Sequence, residues 1–402
     1  MQLTSKQTEV FKSFLQENPK ILVCSGAKRA GKTFVLELIF LAHIAKYRDQ
    51  GLSFLIGGAS QATIRRNVLN DLENILGKEI RLDKANSFEV FGNRVYCFDG
   101  ATSDTWKKVR GWTSTGAFLN EGTALHNEFV KEAISRCSYP GARVFIDTNP
   151  ENPAHSVKTD YIDKSGQRLS NGQLNIKAFN FTLFDNDTLD EEYVESIIQA
   201  TPSGMFTDRD IYGRWVSAEG VVYQDFNQSK HYKDLSKHSC TEYIVGVDWG
   251  YEHYGSLVVL GKQDDVYYLL EEHASKHKEI DYWVEIARDV TKRYGNVMMY
   301  ADSARPEHVK RFQREGFRCV NADKSIIAGI EEVAKRFKQD KLFISKDVVR
   351  FKEEVNMYVW NEKTGKPLDL YDDVLDALRY AIYSHENGTN QIRTISKKTL
   401  RL

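Results

Sequence analysis

The chain has 402 residues, 41% hydrophobic and 28% charged, with 55 basic against 56 acidic side chains and a formal net charge of −1. That composition fits a folded, core-forming chain of two or three domains, and the charge balance excludes a globally basic, histone-like binder while leaving local phosphate contacts open. No apolar run reaches the roughly 18 residues a membrane span needs, and the polar opening (Gln2, Thr4, Ser5, Lys6) does not read as a secretory signal. Cys24, Cys97, Cys137, Cys240 and Cys319 are dispersed, without metal-ligand spacing, which points to buried free thiols in a reducing compartment.

Residues 21–24 form a short apolar run that predicts a strand, and a helical pattern covers 32–46. Between them stands Gly26-Ala27-Lys28-Arg29-Ala30-Gly31-Lys32-Thr33, which matches the phosphate-binding loop at every fixed position and in the required strand-to-helix context. Its residue types follow from the task. Glycines let backbone N–H groups curl around phosphate oxygens, Lys32 reaches the β- and γ-phosphates, and the Thr33 hydroxyl ligates Mg²⁺. The loop therefore predicts ATP and Mg²⁺ as ligands. Arg29 reads equally as a positive charge for the transition state and as an ordinary solvated arginine.

A strand at 53–56, a helix over 64–75 and a hairpin of 88–91 with 94–98, turning through Gly92-Asn93, come next. The strand at 116–119 leads into Asn120-Glu121, where an ATPase places its metal-organising and catalytic acids. Glu121 is the candidate general base. Asn120 departs from the usual aspartate: an amide orients water around Mg²⁺ but adds no charge. A helix over 128–137 and a strand at 143–146 follow, and Asp147-Thr148-Asn149-Pro150 end that strand at the nucleotide crevice, where they read either as a sensor of the γ-phosphate or as a plain turn. This alternation predicts a doubly wound, mainly parallel sheet over residues 1–215.

Residues 216–237 show no sustained period and are expected to be a linker. In 238–402, strands at 243–247, 256–260 and 266–271 form a meander, followed by a helix at 281–294, a strand at 297–300, a helix at 307–315, a strand at 317–321 and helices at 326–337 and 373–384. Glu386-Asn387-Gly388 and the basic Lys397, Lys398 and Arg401 read as a frayed tail. Asp248 and Asp302 close strands, Asp372 and Asp373 open the last helix, and Asp376 lies one turn on. Each alone reads as a cap or a turn residue. Together, in this order on a mixed sheet, they predict a ribonuclease H-like α/β domain with Asp248 and Asp302 catalytic and a third acid among Asp372, Asp373 and Asp376, of which Asp373 is favoured, all five being candidate metal ligands. Clustered carboxylates need hard cations, so Mg²⁺ or Mn²⁺ is expected, as two ions about 3.5–4 Å apart.

With these residues in hand, the chain resembles the phage terminase large subunit family along most of its length. The likeness runs through Leu3-Thr4-Ser5-Lys6-Gln7, the phosphate loop, Lys108-Val109-Arg110-Gly111-Trp112, Asn120-Glu121, Thr148-Asn149-Pro150 and Gly213-Arg214-Trp215. It continues through Val247-Asp248-Trp249-Gly250, Ala301-Asp302-Ser303 and Asp372-Asp373-Val374-Leu375-Asp376. The resemblance implies an N-terminal P-loop ATPase that translocates double-stranded DNA and a C-terminal nuclease that cuts it. It further implies that Gln7 contacts adenine and that Thr148-Asn149 couple hydrolysis to movement. The implied partners are a small terminase subunit and the portal of a procapsid. The implied states are a homo-oligomeric ring when docked and a monomer in solution, in the cytoplasm of an infected bacterium with no membrane association. Two other readings stay open: a helicase- or repair-type ATPase fused to a nuclease, and an assembly ATPase whose ribonuclease H-like half only binds DNA.

Overall fold

Strand β1 (Ile21–Gly26) is buried along its whole length, and its residues alternate between two cores. Leu22 and Cys24 pack with Leu36, Phe40, Phe54 and Phe118, while Ile21 and Val23 pack with Leu55, Phe129 and Val144. A strand that buries both faces needs helices on both sides of its sheet. The computed structural model, which describes residues 3–236, 238–362 and 364–392, has that arrangement. With β2 (Ser53–Gly58), β3 (Ser87–Val90), β4 (Asn93–Asp99), β5 (Gly116–Leu119), β6 (Arg143–Thr148) and β7 (Ile176–Phe181), β1 forms a seven-stranded sheet in the order β3-β4-β2-β5-β6-β1-β7. Only β3 runs antiparallel to its neighbour. Because β6 lies between β1 and β5, the carboxyl ends of these strands bring the phosphate loop, Asp147-Thr148-Asn149 and Asn120-Glu121 side by side.

The details correct the expectation in four places. Val90 pairs with Asn93, so the hairpin turns through Phe91-Gly92, one residue earlier than expected, with φ of 51° and 70°. Two left-handed residues suit the strand twist. Asn93 instead opens β4, its Oδ1 accepting from Leu52 N at 2.9 Å and its Nδ2 donating to Tyr47 O at 2.8 Å. The helix expected over 64–75 is broken into Gln61–Ile64, a π-helical stretch Arg65–Leu69 and Asn70–Leu76. The edge strand β7 and the helix Ser5–Glu17 are additions to the expected elements.

The chain divides into two compact units. One takes in the described residues up to Ile198 together with Met205–Ser217, the other Gln199–Gly204 and the described residues from Ala218 onward. The second unit has its own seven-stranded sheet: β8 (Tyr232–Lys233), β9 (Glu242–Asp248), β10 (Gly255–Gln263), β11 (Val266–Ser275), β12 (Met298–Ala301), β13 (Arg318–Asn321) and β14 (Leu342–Ser345), in the order β13-β12-β9-β10-β11-β14-β8. Strands β9, β10 and β11 are an antiparallel meander, and the remaining pairs are parallel. One face packs Val245, Val247, Leu257 and Met299 against Trp283, Ala287 and Phe312.

Most of the expected linker belongs to this unit. Tyr223, Phe226 and His231 pack on Phe337, and Phe226 also on Phe351. Burial of aromatic rings, not helical periodicity, orders the segment. The last helix, Asp373–Ile392, also runs through Glu386-Asn387-Gly388 instead of fraying there, with Glu386 Oε1 accepting from Lys262 Nζ at 3.0 Å. Lys397, Lys398 and Arg401 lie outside the described residues. All the cysteines are free, and Cys240 alone among them is only half-buried.

Candidate active sites

The phosphate loop begins where β1 passes β7. Gly26 has φ 142°, and a Cβ there would lie 2.0 Å from the carbonyl oxygen of Phe181, so only glycine fits. Gly31 caps the helix Lys32–Ala45 without a side-chain hydrogen bond, which leaves the first N–H groups of that helix for a ligand. Thr4 and Gln7 form a capping box on the first helix, and Gln7 Nε2 donates to Gly31 O at 3.0 Å. Trp215 Nε1 donates to Ser25 Oγ at 2.7 Å, which gives the Gly213-Arg214-Trp215 motif a place beside the loop. Within the loop, Ala30 is buried and Lys28 Nζ stands 3.0 Å from Asp210 Oδ2. The Arg29 guanidinium lies over the Tyr193 ring at 5.5 Å, and the Arg29 carbonyl accepts from Asn186 Nδ2 at 2.7 Å.

Lys32 is buried, and its Nζ donates to Gly26 O at 2.9 Å, Ala27 O at 2.5 Å and Asn149 Oδ1 at 3.1 Å. Burial brings its pKa down to about 8, against the opposing pull of Asp147. Asp147 reads in the sequence as one of several polar residues at a crevice-facing strand end, with no role of its own, yet it is the hub of the site. It accepts from the Thr33 hydroxyl, from Asn120 Nδ2 at 3.2 and 3.1 Å, and from Glu121 N at 2.8 Å. Glu121 follows β5 in a left-handed conformation, φ 53°, with Oε1 accepting from Asn67 Nδ2 at 3.4 Å. Burial, then the charge of Asp147, raises the Glu121 pKa from its ordinary value. Thr148 Oγ1 donates to Thr123 Oγ1 at 3.0 Å and accepts from Thr123 N at 3.2 Å, which ties the end of β6 to the turn after Glu121.

In the second unit, Asp302 N donates to Val247 O at 2.9 Å, so Asp248 and Asp302 end neighbouring strands side by side. The helix Asp373–Ile392 presents Asp373 and Asp376 beside them, with Asp372 just before it. Ser256 Oγ on β10 donates to Asp373 O at 2.6 Å. Burial, then Asp376, Asp302, Asp373 and Asp372, push the Asp248 pKa well above the carboxylate range. Burial, then Asp376 and other neighbouring acids, bring Asp372 up to about 7. These acids line a cleft of about 850 Å³ shared with Lys276, Arg305 and Arg350.

The groups that hold these acids carry no local signal in the sequence. Lys324 Nζ stands 2.5 Å from Asp302 Oδ1 and Arg350 Nη2 3.3 Å from Asp373 Oδ2. Glu354, fully buried, accepts from the N–H groups of Val374 and Leu375 at 2.9 and 3.2 Å and so caps the helix from outside. Burial, then Asp373, bring its pKa up to about 8. Asp376 is turned to Arg379 Nη2 at 2.7 Å and Tyr380 Oη at 3.2 Å. As the side chains stand, no three acidic, histidine or cysteine groups among the described residues grip an ion together. The donors are nonetheless all oxygens and all hard, both at Thr33 with Asp147 and at Asp248, Asp302 and Asp373, which is the set that Mg²⁺ or Mn²⁺ prefers.

Two family profiles match in chain order: "Terminase large subunit, T4likevirus-type, N-terminal" over residues 23–230 and "Terminase RNaseH-like domain" over residues 245–385. The chain belongs to the terminase large subunit family. Structures of the large terminase of a thermophilic bacteriophage match this terminase at 25% identity. One covers 96% of this chain and 99% of the thermophilic phage's chain with a TM-score of 0.82. Complexes of that same phage protein with ADP and with ATP-gamma-S each cover 94% of this chain and 98% of their own, at TM-scores of 0.80 and 0.79. No curated protein matches this terminase. Its fold is a P-loop NTPase-type doubly wound sheet plus a ribonuclease H-like mixed sheet. Among the described residues, no helix is long and apolar enough to cross a membrane.

Proposed function

We propose that this terminase hydrolyses ATP to drive double-stranded viral DNA into a procapsid, and that its second half cuts concatemeric DNA with divalent ions. One observation carries the reading. A single chain of this family holds both a phosphate loop joined to Glu121 through Asp147 and a set of aspartates gathered at the ends of β9 and β12 and the start of the last helix. We assign the motor half to residues 1–198 with 205–217 and the nuclease half to 199–204 with 218–402, with most of the expected linker in the latter.

In the motor half, Lys32 exchanges the carbonyls of Gly26 and Ala27 for the β- and γ-phosphates of ATP, the nucleotide whose analogue the thermophilic-phage relative holds. The loop from Gly26 to Thr33, Lys28 and Arg29 included, wraps the phosphates, and Gln7 stands by the adenine. Glu121 takes the proton of the attacking water, held at the end of β5 beside Asp147 and Asn67. Asn149, bonded to Lys32, senses the γ-phosphate, and Thr148 relays its loss to the turn after Glu121. In the nuclease half, Asp248, Asp302 and Asp373 would hold the ions, with Asp372 and Asp376 beside them, and Lys324 and Arg350 position Asp302 and Asp373. Bound divalent ions would neutralise phosphate charge in the first site, and in the second activate water and stabilise the leaving oxygen.

A small terminase subunit, a portal and a ring of copies of this chain on that portal, in the cytoplasm of an infected bacterium, complete the reading. Its test is DNA packaging into purified procapsids, scored as nuclease-protected DNA. ATP-dependent protection that vanishes with Lys32→Ala is expected; protection unaltered by that change would remove the motor assignment.

A further inference from the structure

We propose that Asp147, at the end of β6, is the carboxylate that organises the divalent ion of the nucleotide site, taking over from the neutral residue at the end of β5. The assignment rests on the loop being an ATP site. A phosphate loop of this pattern provides one hydroxyl to the ion, and an acid at the end of a nearby strand completes the protein's share. At the end of β5 that place is held by Asn120. Its amide carries no charge, and its Nδ2 is turned onto both oxygens of Asp147.

Asp147 occupies the position such an acid needs. It sits on β6, between β1 and β5, in register with Cys24. Its Oδ2 meets the Thr33 hydroxyl, and its Oδ1 accepts from Glu121 N at 2.8 Å, so one side chain touches both the loop's metal-binding hydroxyl and the backbone of the general base. The residue is 3% exposed, and among the described residues no lysine or arginine is hydrogen-bonded to it, Lys32 acting on it only as a nearby charge. The nearby Lys32 Nζ is spent on Gly26 O, Ala27 O and Asn149 Oδ1 instead. A buried carboxylate with no cation bonded to it is costly, and the donors that touch this one orient it without neutralising it. A divalent ion next to Thr33 supplies the missing charge. Asn120 is then a positioning residue: it holds the acid as an outer partner holds a metal-site carboxylate.

The test is the affinity of the full chain for ATP-gamma-S, measured by calorimetry in EDTA and in Mg²⁺. Asp147→Asn should still bind ATP-gamma-S in EDTA, which reports a folded site, and the ratio of its Mg²⁺ to EDTA affinity should fall about ten- to a hundred-fold. Restoring a carboxylate across the same hydrogen bond, as Asn120→Asp in the Asp147→Asn background, should bring the tightening back. A purely structural staple between β5 and β6 would not respond to where the charge sits. Full Mg²⁺ tightening in Asp147→Asn overturns this assignment alone. If that single variant also loses binding in EDTA, the double variant decides: binding in EDTA without Mg²⁺ tightening overturns the assignment. An unaltered chain that binds no ATP-gamma-S would overturn the loop's reading and this assignment with it.

Discussion

Gly246 lies so close to Ala377 that a Cβ built on the glycine would sit 1.9 Å from the alanine's carbonyl oxygen. The contact seats the helix Asp373–Ile392 directly on β9, two residues before Asp248, and so fixes how near Asp373 comes to the strand-end acids. Gly246→Ala must therefore push the helix off the strand. Overpacking of this kind costs about 1–3 kcal/mol, and the backbone partner here cannot rotate away. A lower thermal midpoint and weaker metal-dependent cutting are expected from this variant. A melting curve superimposable on that of the unaltered chain would contradict the packing described.

Glu121 and Lys32 should separate in their effects. Glu121→Gln keeps the shape of the site and its hydrogen bond to Asn67, so ATP-gamma-S affinity should stay while hydrolysis falls by about 10²–10⁴-fold, the usual share of a general base. Steady-state phosphate release alongside nucleotide titration distinguishes this from lost binding. Hydrolysis at the unaltered rate would assign the base elsewhere.

His43 gives the first unit an acid-sensitive element. It is 4% exposed, its Nε2 lies 2.9 Å from Thr115 O, and burial brings its pKa down to about 4. The folded state thus favours the neutral ring, whereas the unfolded chain takes up a proton near 6.5. The contribution is complete above about pH 6.5, shrinks as pH falls below that, and is gone below about 4, with a span of up to about 3 kcal/mol. Urea midpoints measured between pH 7 and 4.5 should fall more steeply for the unaltered chain than for His43→Gln. Parallel slopes would remove this role.

What can be read in advance divides along a physical line. The phosphate loop is legible because its chemistry is packed into eight consecutive positions whose types follow from wrapping a phosphate. The strands ending in Asn120 and Asp248 announce themselves through apolar runs that stop at a polar residue. Asp147 also ends such a run, but its importance depends on β6 lying between β1 and β5, and strand order is not written in any local pattern. Lys324, Arg350 and Glu354 are invisible for a related reason. Each is an ordinary charged residue until the fold carries it to Asp302, Asp373 or the start of the last helix. In the stretch from Ala218, Tyr223 and Phe226 escape a reading that weighs periodicity, because their order comes from ring packing on Phe337.

The most direct test of a two-site terminase is cutting of supercoiled plasmid by the intact chain in Mn²⁺, Mg²⁺ or EDTA, set beside Asp302→Asn and with ATP hydrolysis measured on the same preparations. Metal-dependent cutting that disappears in Asp302→Asn while hydrolysis is unchanged is the predicted result. A folded chain that hydrolyses ATP but leaves plasmid intact with either metal, or an Asp302→Asn chain that cuts as well as the original, would contradict the nuclease assignment.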